Sequence, residues 1–321
     1  MRKIRAVITG LGNIAHKYEE NFWVTKRMKY PTHFSVLRNS KKFNLVAAHD
    51  NQKEARIDFS KKTVSVKMYS DFGEMLEKER PELLIVTSPT ETHYEICRIA
   101  INKSVPAILC EKPISFSLFE GRKLVKLARD KKIIIVFNYN RAFNKKYNLL
   151  ADKIKSKHWG KVLDVEVTYT KGILNNASHA INLLVKFFGP VSKVRGLKLI
   201  VPNHNDPTLN FSLNFGKCVA CFHGLGKKKH SIFKMDIFFE KARLKFTNDI
   251  LEEFRMKKNG NISTLEKYQS SKPNNYIEYG LFDVYDNIYN HITSRCKLLS
   301  TPEEALYTLE VASKVISILK K

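Results

Sequence analysis

The sequence contains little cysteine and no long uncharged apolar stretch. Its five cysteines are an odd number in 321 residues, and no extracellular signal accompanies them. We therefore expect free thiols and a cytoplasmic, reducing environment rather than a disulfide framework. No stretch approaches the ~18 apolar residues of a membrane span, so no membrane partner is expected. The sequence also lacks internal repeats and low-complexity linkers, and its 43% hydrophobic content is that of an ordinary globular protein.

Acidic residues are also few, with 31 Asp and Glu against 56 Lys and Arg and a net charge of +25. Three explanations are open: a solvated lysine-rich surface, attraction of anionic small molecules, and nucleic-acid binding. Nucleic-acid binders favour clustered basic patches and recognisable modules. The basic cluster at 227–230 is predicted to be a hairpin loop, so we expect no nucleic-acid partner.

A dinucleotide fingerprint follows the first predicted strand, residues 3–9. The motif Gly-Leu-Gly-Asn-Ile-Ala at 10–15 has the G-x-G-x-x-A form. Gly10 would form the tight turn, Gly12 would let the backbone approach a pyrophosphate, and Ala15 would let helix and sheet pack closely. A helix is predicted to open here with its N-terminus towards the phosphates. The alternative is a glycine-rich turn without a nucleotide.

An unusually long segment precedes the second predicted strand. Residues 22–33 are predicted to form a surface insertion, with Pro31 breaking the helix. The strand at 44–49 ends at Asp50, where a carboxylate would bind the adenosine ribose and favour NAD over NADP. The interval from the glycines exceeds the usual ~20 residues, which the insertion explains. Alternatively, Asp50 caps the next helix.

Residues 105–110 are predicted to form a short buried strand that ends at Glu111-Lys112-Pro113. Ligands bind parallel sheets at the carboxyl ends of the strands, which is where Lys112 stands. Pro113 restricts Lys112 to extended conformations. The alternative is that Lys112 only extends into solvent from a strand end.

The pattern of elements predicts an α/β protein with two domains. Strands and helices alternate through residues 1–138, as in an N-terminal Rossmann domain with a doubly wound parallel sheet. Residues 139–321 are predicted to form an α/β domain with a mostly antiparallel open sheet, polar on one face. The last helix is a candidate to pack back on the first domain. The alternating strands of this second domain are predicted at 162–171, 208–215, 218–223, 233–239 and 242–247, and its closing helices at 276–295 and 302–319.

A helix with polar residues at its start is predicted in the second domain. Ser178 or a neighbouring Asn would cap it, which places His179 and Asn182 in its first turn with Asn175 nearby. The helix dipole there disfavours an imidazolium, and a neutral imidazole is what a general base requires. The alternative is a structural histidine. No metal is expected, because Cys218 and Cys221 would point to opposite faces of a strand and the histidines show no ligand spacing.

These segments together resemble the glucose–fructose oxidoreductase/inositol dehydrogenase (Gfo/Idh/MocA) family along nearly the whole chain. Glu111-Lys112-Pro113 is the most specific element of the resemblance. The other elements are the fingerprint at 10–15, Asp50, Ser88-Pro89 with His93, Asn140-Arg141, Ser178-His179-Ala-Ile-Asn182, and the tail at 302–306.

The resemblance implies hydride transfer between nicotinamide C4 and a carbinol carbon of a sugar or cyclitol. It also implies an open sheet that faces the cofactor and forms a homodimer or homotetramer. Lys112 would hold the substrate hydroxyl and share in proton transfer, and His179 would act as base or relay. The implied NAD contacts are Gly10, Gly12, Asn13, Ile14, Asp50, Ser88, Pro89, Thr90, His93, Glu111 and Lys112, and the implied substrate contacts are Lys112, Asn140, Arg141, Asn175 and His179.

Two departures from the family pattern affect the expected chemistry. Asn175 and Asn182 stand where the family commonly has Asp, and an amide can orient a hydroxyl but cannot take its proton. The leading hypothesis is an NAD-dependent sugar dehydrogenase. A nucleotide-linked sugar of polysaccharide biosynthesis is one candidate substrate, and a neutral sugar or inositol is another. The alternative hypothesis is a non-catalytic sensor or partner-docking protein that binds the same cofactor.

Overall fold

The structure is a computed structural model that describes residues 2–26, 28–226, 232–248, 250–259, 262–268 and 280–318. The chain forms two compact units: residues up to 143 with 280–306, and residues from 144 to 268 with 307–318. The predicted loop at 227–230 and the start of the helix predicted at 276 lie outside the described residues. None of the helices in these ranges has both the length and the apolar character needed to cross a bilayer.

The first unit contains a six-stranded sheet in which all neighbouring strands are parallel. Its central strands are wholly buried, as expected for a parallel sheet covered on both faces. The predicted doubly wound sheet is therefore confirmed. Its strands are Ile4–Thr9 (β1), Phe43–His49 (β2), Lys67–Tyr69 (β3), Leu83–Val86 (β4), Ala107–Cys110 (β5) and Ile134–Phe137 (β6), in the spatial order β3-β2-β1-β4-β5-β6.

Helices connect the strands of both units. The helix that begins at Thr90 follows directly on Pro89, which occupies its N-cap position. In chain order the helices are Phe22–Thr25 (α1), His33–Asn39 (α2), Lys53–Ser60 (α3), Phe72–Glu79 (α4), Thr90–Asn102 (α5), Leu118–Asp130 (α6), Asn140–Phe143 (α7), Lys145–Lys155 (α8), Ser178–Phe188 (α9), Leu281–Ser294 (α10) and Pro302–Ser317 (α11).

The helix predicted to open at the fingerprint is interrupted, so that prediction is wrong in position. The main-chain N–H groups of His33 and Phe34 donate to the carbonyls of Ile14 (3.1 Å) and Ala15 (2.9 Å). The first residues of α2 therefore continue the helical turn that the fingerprint starts. The inserted segment is the stretch of chain between Ala15 and His33 that interrupts this turn. A short 3-10 turn, Lys17–Glu20, and α1 occupy that segment.

The end of the inserted segment is not a surface feature. Thr32 and His33 are both 0% exposed, which corrects the prediction of a surface insertion over 22–33. Thr32 Oγ1 accepts from Ser35 N at 3.0 Å, and Ser35 Oγ accepts from Thr32 N at 3.1 Å. This capping box, rather than Pro31 alone, sets the start of α2.

Helix α10 packs with the first unit although it lies far along the chain. Its buried face includes Val284, Tyr285 and Tyr289. The rings of Tyr285 and Tyr289 lie edge-on to Phe43 of β2, at centroid distances of 5.3 and 5.8 Å. Their place in the sequence, after the strands of the second domain, predicts that they belong to that domain, whereas their apolar contacts are with the first sheet.

The second unit contains an eight-stranded sheet, which confirms the predicted mostly antiparallel arrangement. Strand β10 runs parallel to β7, and the other neighbouring pairs are antiparallel. The strands are Val162–Tyr169 (β7), Lys193–Val201 (β8), Thr208–Asn214 (β9), Val219–Gly224 (β10), Phe233–Phe239 (β11), Ala242–Thr247 (β12), Ile250–Asn259 (β13) and Ile262–Lys267 (β14), in the order β14-β13-β12-β11-β7-β10-β9-β8.

Replacing Thr32 by Ala should destabilise the protein by about 1–2 kcal/mol, because the start of α2 loses its buried capping hydroxyl. Urea unfolding of wild type and Thr32→Ala measures the loss. Thr25→Ala is the matched control, because Thr25 is exposed and caps no helix start. Equal losses in the two variants would contradict the capping assignment.

Candidate active site

Most of the predicted cofactor and substrate residues of the first unit lie at one edge of its sheet. Gly10 follows β1, Asp50 follows β2, Ser88 follows β4, Glu111 follows β5 and Asn140 lies beyond β6. Because these strands are parallel, their carboxyl ends share one edge. This is the edge at which open α/β sheets bind ligands.

The crevice between β1 and β4 lies where the strand order reverses. Gly10 has a φ of +87°, and a Cβ there would overlap the main chain of Ser88. Thr87 Oγ1 donates to the carbonyls of Thr9 (3.0 Å) and Gly10 (2.6 Å), which ties the two strand ends together. A Cβ on Gly12, in contrast, would meet no atom within 4 Å. The open space at Gly12 fits the close approach of a pyrophosphate, so the fingerprint residues fit a dinucleotide.

Asp50 is bound to the fingerprint turn. One carboxylate oxygen accepts from Leu11 N at 2.7 Å, and the other accepts from Gln52 N at 2.9 Å. Helix α3 has Gln52 at its N-cap position and no side-chain cap, so Asp50 is not its capping residue. Each carboxylate oxygen can accept a further hydrogen bond. Binding of a ribose hydroxyl by Asp50 stays a prediction that this geometry permits.

The segment after β4 is held by side-chain contacts of its own. Thr92 Oγ1 donates to Ser88 Oγ at 2.7 Å. His93 is 1% exposed, and its ring nitrogens lie 2.8 Å from the carbonyl of Pro113 and 2.9 Å from that of Ser88. Burial lowers the pKa of His93, although both carbonyls oppose this shift. His93 therefore joins the loop after β4 to the loop that carries Lys112, and its contact with the cofactor stays a prediction. Pro89 and Thr90 open α5 beside Ser88.

A network of hydrogen bonds surrounds the carboxylate of Glu111. Oε1 lies 2.9 Å from His33 Nε2 and accepts from Asn138 Nδ2 at 2.6 Å, while Oε2 accepts from Lys112 N at 3.3 Å. His33 Nδ1 lies 2.8 Å from the hydroxyl of Tyr285. The chain of contacts runs from α10 through α2 to the end of β5, so three distant segments determine where Lys112 stands.

The network keeps Glu111 ionised. Burial alone would raise its pKa, but the contacts with His33 and Asn138 and the charge of Lys112 hold the pKa below its ordinary value. Burial, and secondarily the charge of Glu111, raise the pKa of Tyr285 well above its ordinary value. Tyr285 therefore remains a neutral phenol that can donate to the His33 ring, and that ring can donate to Glu111.

Lys112 is half-buried at the end of β5. The peptide bond between Lys112 and Pro113 is cis. Glu111 fixes the residue on one side and the contact of Pro113 with His93 fixes it on the other. The main chain of Lys112 is therefore held by buried groups from both flanking loops.

Unsatisfied acceptors lie beyond β6. Asn140 begins α7, and its half-buried amide has an oxygen that meets no hydrogen-bond donor among the described residues. The amide oxygen of Asn138 likewise meets no hydrogen-bond donor among the described residues. Buried acceptors without donors are uncommon in native proteins and often mark a ligand site. Arg141, also half-buried, follows in the same turn.

In the second unit, the segment that carries His179 differs from the prediction. A π-helical turn over Ile173–Ala177 runs directly into α9, so His179 lies beyond the first helical turn. Ser178 donates to Leu174 O at 2.6 Å and caps nothing. Asp206 accepts from the main-chain N–H groups of Leu174 (2.6 Å) and Asn175 (3.0 Å) instead. Its carboxylate opposes the positive end of the helix dipole, so the predicted dipole effect on His179 does not apply.

Asn175 and Asn182 have different environments. The side chain of Asn175 is exposed, and His179 four residues later is half-buried. Asn182 is 6% exposed, and its amide donates to Thr308 Oγ1 at 3.0 Å. Asn182 therefore joins α9 to α11 inside the second unit.

Four residues of these networks lie outside the set found from sequence: His33, Asn138, Tyr285 and Asp206. Asn138 follows β6 directly, so its place at a strand end was a usable signal. His33 and Tyr285 meet only through folding, because α2 and α10 lie at opposite ends of the chain. Asp206 lies in the loop after β8, which was itself not predicted.

A surface cavity of about 530 Å³ lies at the other edge of the first sheet. It is lined by residues that precede β4 and β5, including Pro81 and Pro106. The fingerprint and Lys112 follow the carboxyl ends of the strands and therefore lie at the opposite edge. This cavity is not the site that the fingerprint defines.

The fold and the fingerprint define a class of protein, one with a Rossmann fold that carries a dinucleotide fingerprint and a second unit with a mostly antiparallel sheet. Residues 4–139 match the GFO_IDH_MocA family, described as an oxidoreductase family with an NAD-binding Rossmann fold. The match lies within the first unit, and over these residues it confirms the resemblance found in the sequence.

Two of the named proteins to which the chain is similar are dehydrogenases. The chain is 26% identical to the glucose-6-phosphate 3-dehydrogenase of Bacillus subtilis over 288 residues, 87% of this chain and 67% of that protein. It is 26% identical to the myo-inositol 2-dehydrogenase of Thermotoga maritima over 124 residues, 39% of this chain and 37% of that one. The matched stretches cover only 42%, 38% and 37% of the length of the first three curated relatives.

Solved structures share the fold across both units. The WlbA dehydrogenase from Bordetella pertussis, crystallised with NADH and UDP-GlcNAcA, superposes with a TM-score of 0.77 at 18% identity. The match covers 100% of this chain and 97% of that chain. At this identity the likeness establishes the fold alone.

The two fingerprint glycines should respond differently to alanine. Gly10→Ala should destabilise the protein by about 2–4 kcal/mol, because the new Cβ overlaps Ser88 at a φ that L-residues avoid. Gly12→Ala should change stability by less than about 0.5 kcal/mol and weaken NADH binding about tenfold or more. Urea unfolding and calorimetric NADH titration measure the two effects. Unchanged NADH affinity in Gly12→Ala would contradict the assignment of the open space at Gly12 to the pyrophosphate.

Glu111 should make the stability of the protein depend on pH in the acid range. Its folded pKa lies below the ordinary value of 4.5, so its contribution is complete above about pH 4.5 and is lost as the pH falls through the folded pKa. Glu111→Gln should lower the unfolding free energy by about 2–4 kcal/mol at pH 7 and flatten the decline below pH 4.5. Urea unfolding from pH 3 to 7 tests this.

The control for this experiment is Glu91→Gln, because Glu91 is exposed in the first turn of α5. It should keep both the wild-type stability and the wild-type decline in acid. An identical acid decline in wild type and Glu111→Gln would show that Glu111 is not a source of the pH dependence.

Proposed function

We propose that this protein is an NAD(H)-dependent oxidoreductase that transfers a hydride between nicotinamide and a carbinol carbon of a sugar. One observation carries the proposal. The half-buried Lys112 is held by the Glu111 network at the same sheet edge as the open fingerprint turn. A lysine that only extended into solvent would not need a buried, ionised carboxylate and two histidines to fix its neighbours.

The fingerprint would hold the dinucleotide in this proposal. Gly12 and the turn at Asn13 and Ile14 leave room for the pyrophosphate, and Asp50 offers oxygens to the adenosine ribose. Bound NAD supplies the hydride acceptor at the nicotinamide ring. The carboxylate of Asp50 would oppose the phosphate of NADP, so we propose a preference for NAD.

Lys112 would act on the substrate hydroxyl. Its Nζ would donate a hydrogen bond to the hydroxyl oxygen at the carbon that loses hydride. The hydride would pass to NAD and the hydroxyl proton to a base, so that a ketone forms from the alcohol. The unsatisfied amide oxygen of Asn140 would accept from a neighbouring substrate hydroxyl. In the second unit, His179 is proposed as a proton acceptor and Asn175 as a substrate contact, both from the family resemblance.

The substrate class follows from relatives and charge. Glucose-6-phosphate 3-dehydrogenase and the complex with UDP-GlcNAcA concern anionic sugars, and this chain carries a net charge of +25. An anionic sugar would be drawn to such a surface more strongly than a neutral one. We therefore propose a sugar phosphate or nucleotide-linked sugar, with the neutral cyclitol suggested by the inositol dehydrogenase relative as the second candidate.

Removing the Lys112 ammonium should abolish turnover and leave the cofactor site intact. Lys112→Met should lower kcat about 100-fold or more and keep the NADH dissociation constant within about threefold of the wild-type value. The assay follows absorbance at 340 nm with NAD and, in turn, glucose 6-phosphate, a nucleotide-linked hexose and myo-inositol.

Lys103→Met is the matched control, because Lys103 lies before β5 at the opposite sheet edge and pairs with the exposed Glu77. It should retain wild-type turnover. If the wild-type protein binds NADH but turns over none of these sugars, the cofactor-binding sensor becomes the better account. If Lys112→Met turns over a sugar as fast as wild type, the assignment of Lys112 is wrong.

A further inference from the structure

His16 has a buried ring nitrogen without a hydrogen-bond partner in the part of the chain that the structure describes. The side chain is 0% exposed and lies edge-on to Phe59 at a centroid distance of 5.1 Å. Its Nε2 lies 3.0 Å from the carbonyl of Leu11, whereas its Nδ1 has no partner among the described residues. An unpaired buried polar atom costs free energy and calls for an explanation.

The contact with Leu11 determines which nitrogen carries the proton. A carbonyl oxygen only accepts, so Nε2 donates and Nδ1 presents a lone pair. Burial, followed by the charge of Lys62, lowers the pKa of His16 and favours this neutral form. A histidine that donates one ring N–H to a backbone carbonyl and offers the other nitrogen as a lone pair has the arrangement of a metal ligand.

Two carboxylates lie beside this histidine. Glu20 ends the 3-10 turn of the inserted segment, and Asp58 lies on α3. One ligand atom from each of His16, Glu20 and Asp58 can be chosen so that all three lie within 4.8 Å of one another. The side chains of Glu20 and Asp58 are 60% and 38% exposed, so they have room to move. Small movements of these side chains would bring the three ligand atoms close enough to bind one ion.

We propose that His16, Glu20 and Asp58 bind one divalent transition-metal ion of the Zn²⁺ class. One imidazole nitrogen and two carboxylate oxygens suit such an ion, with water in the remaining position. The ion would join the inserted segment to α3 immediately after the fingerprint turn. Its role would be structural, because none of its ligands belongs to the proposed cofactor or substrate contacts.

Two lysines compete for the same carboxylates. Lys62 Nζ lies 2.6 Å from Glu20 Oε1, and Lys17 Nζ lies 3.4 Å from Asp58 Oδ2. Exposed ion pairs of this kind contribute little stability and are readily exchanged. Metal binding would displace Lys62 from Glu20, so the ammonium of Lys62 lowers the affinity of the site without occupying the nitrogen of His16.

Calorimetric titration of the chelator-treated full-length protein with Zn²⁺ tests the proposal. Glu20→Gln and Asp58→Asn should each weaken the tightest binding step about tenfold or more, because each removes one charged ligand. Glu54→Gln is the matched control, because Glu54 lies on α3 with Asp58 but outside the cluster. It should bind Zn²⁺ as wild type does. Ten histidines and five cysteines make these differences, rather than total zinc content, the measure of the site.

A second variant distinguishes a metal site from a cluster of carboxylates whose charges are balanced only by Lys62 and Lys17. Lys62→Gln should tighten Zn²⁺ binding about threefold or more, because it removes the competing ammonium. Zn²⁺ should also raise the Tm of wild type and Lys62→Gln but not that of Glu20→Gln. Absence of a Zn²⁺ step tighter than about 100 µM in the wild type would overturn the proposal. Wild-type affinity in both Glu20→Gln and Asp58→Asn would overturn it as well.

Discussion

The buried carboxylate of Glu111 is the group on which the organisation of the first unit depends. An ionised carboxylate inside a protein is stable only when several donors surround it, and here these come from α2, from the end of β6 and from the next residue of its own chain. Tyr285 of α10 completes the set through His33. A helix near the fingerprint and a helix late in the chain are therefore both required to place the segment that carries Lys112.

The inserted segment separates the fingerprint from α2 without separating them in space. The hydrogen bonds of Ile14 and Ala15 to α2 preserve the geometry of one continuous helix start. In an uninterrupted helix that began at the glycines, a residue of the first turns would occupy the position that His33 occupies here.

The elements with a strong periodic signal could be predicted from sequence. Buried strands such as β4 and β5, the fingerprint at Gly10 and Gly12, and Lys112 at a strand end all follow from local pattern. Strands β8, β13 and β14 lie at or next to the edges of the second sheet. They could not be predicted, because each carries charges on both faces and lacks the alternation that marks a half-buried strand. The start of α9 was misplaced because the distant Asp206, rather than a local cap, binds its free N–H groups. The contacts of His33, Tyr285 and Asp58 join segments far apart in the chain, which no local pattern reports.

The central claim is that the carboxyl edge of the first sheet is an NAD site that serves hydride transfer. Calorimetric titration of the wild-type protein with NADH and, separately, with NADPH tests this claim most directly. The account predicts micromolar NADH binding and NADPH binding weaker by about tenfold or more, because the Asp50 carboxylate opposes an added phosphate. Absence of binding for both dinucleotides would contradict the account, since the open turn at Gly12 would then have no ligand.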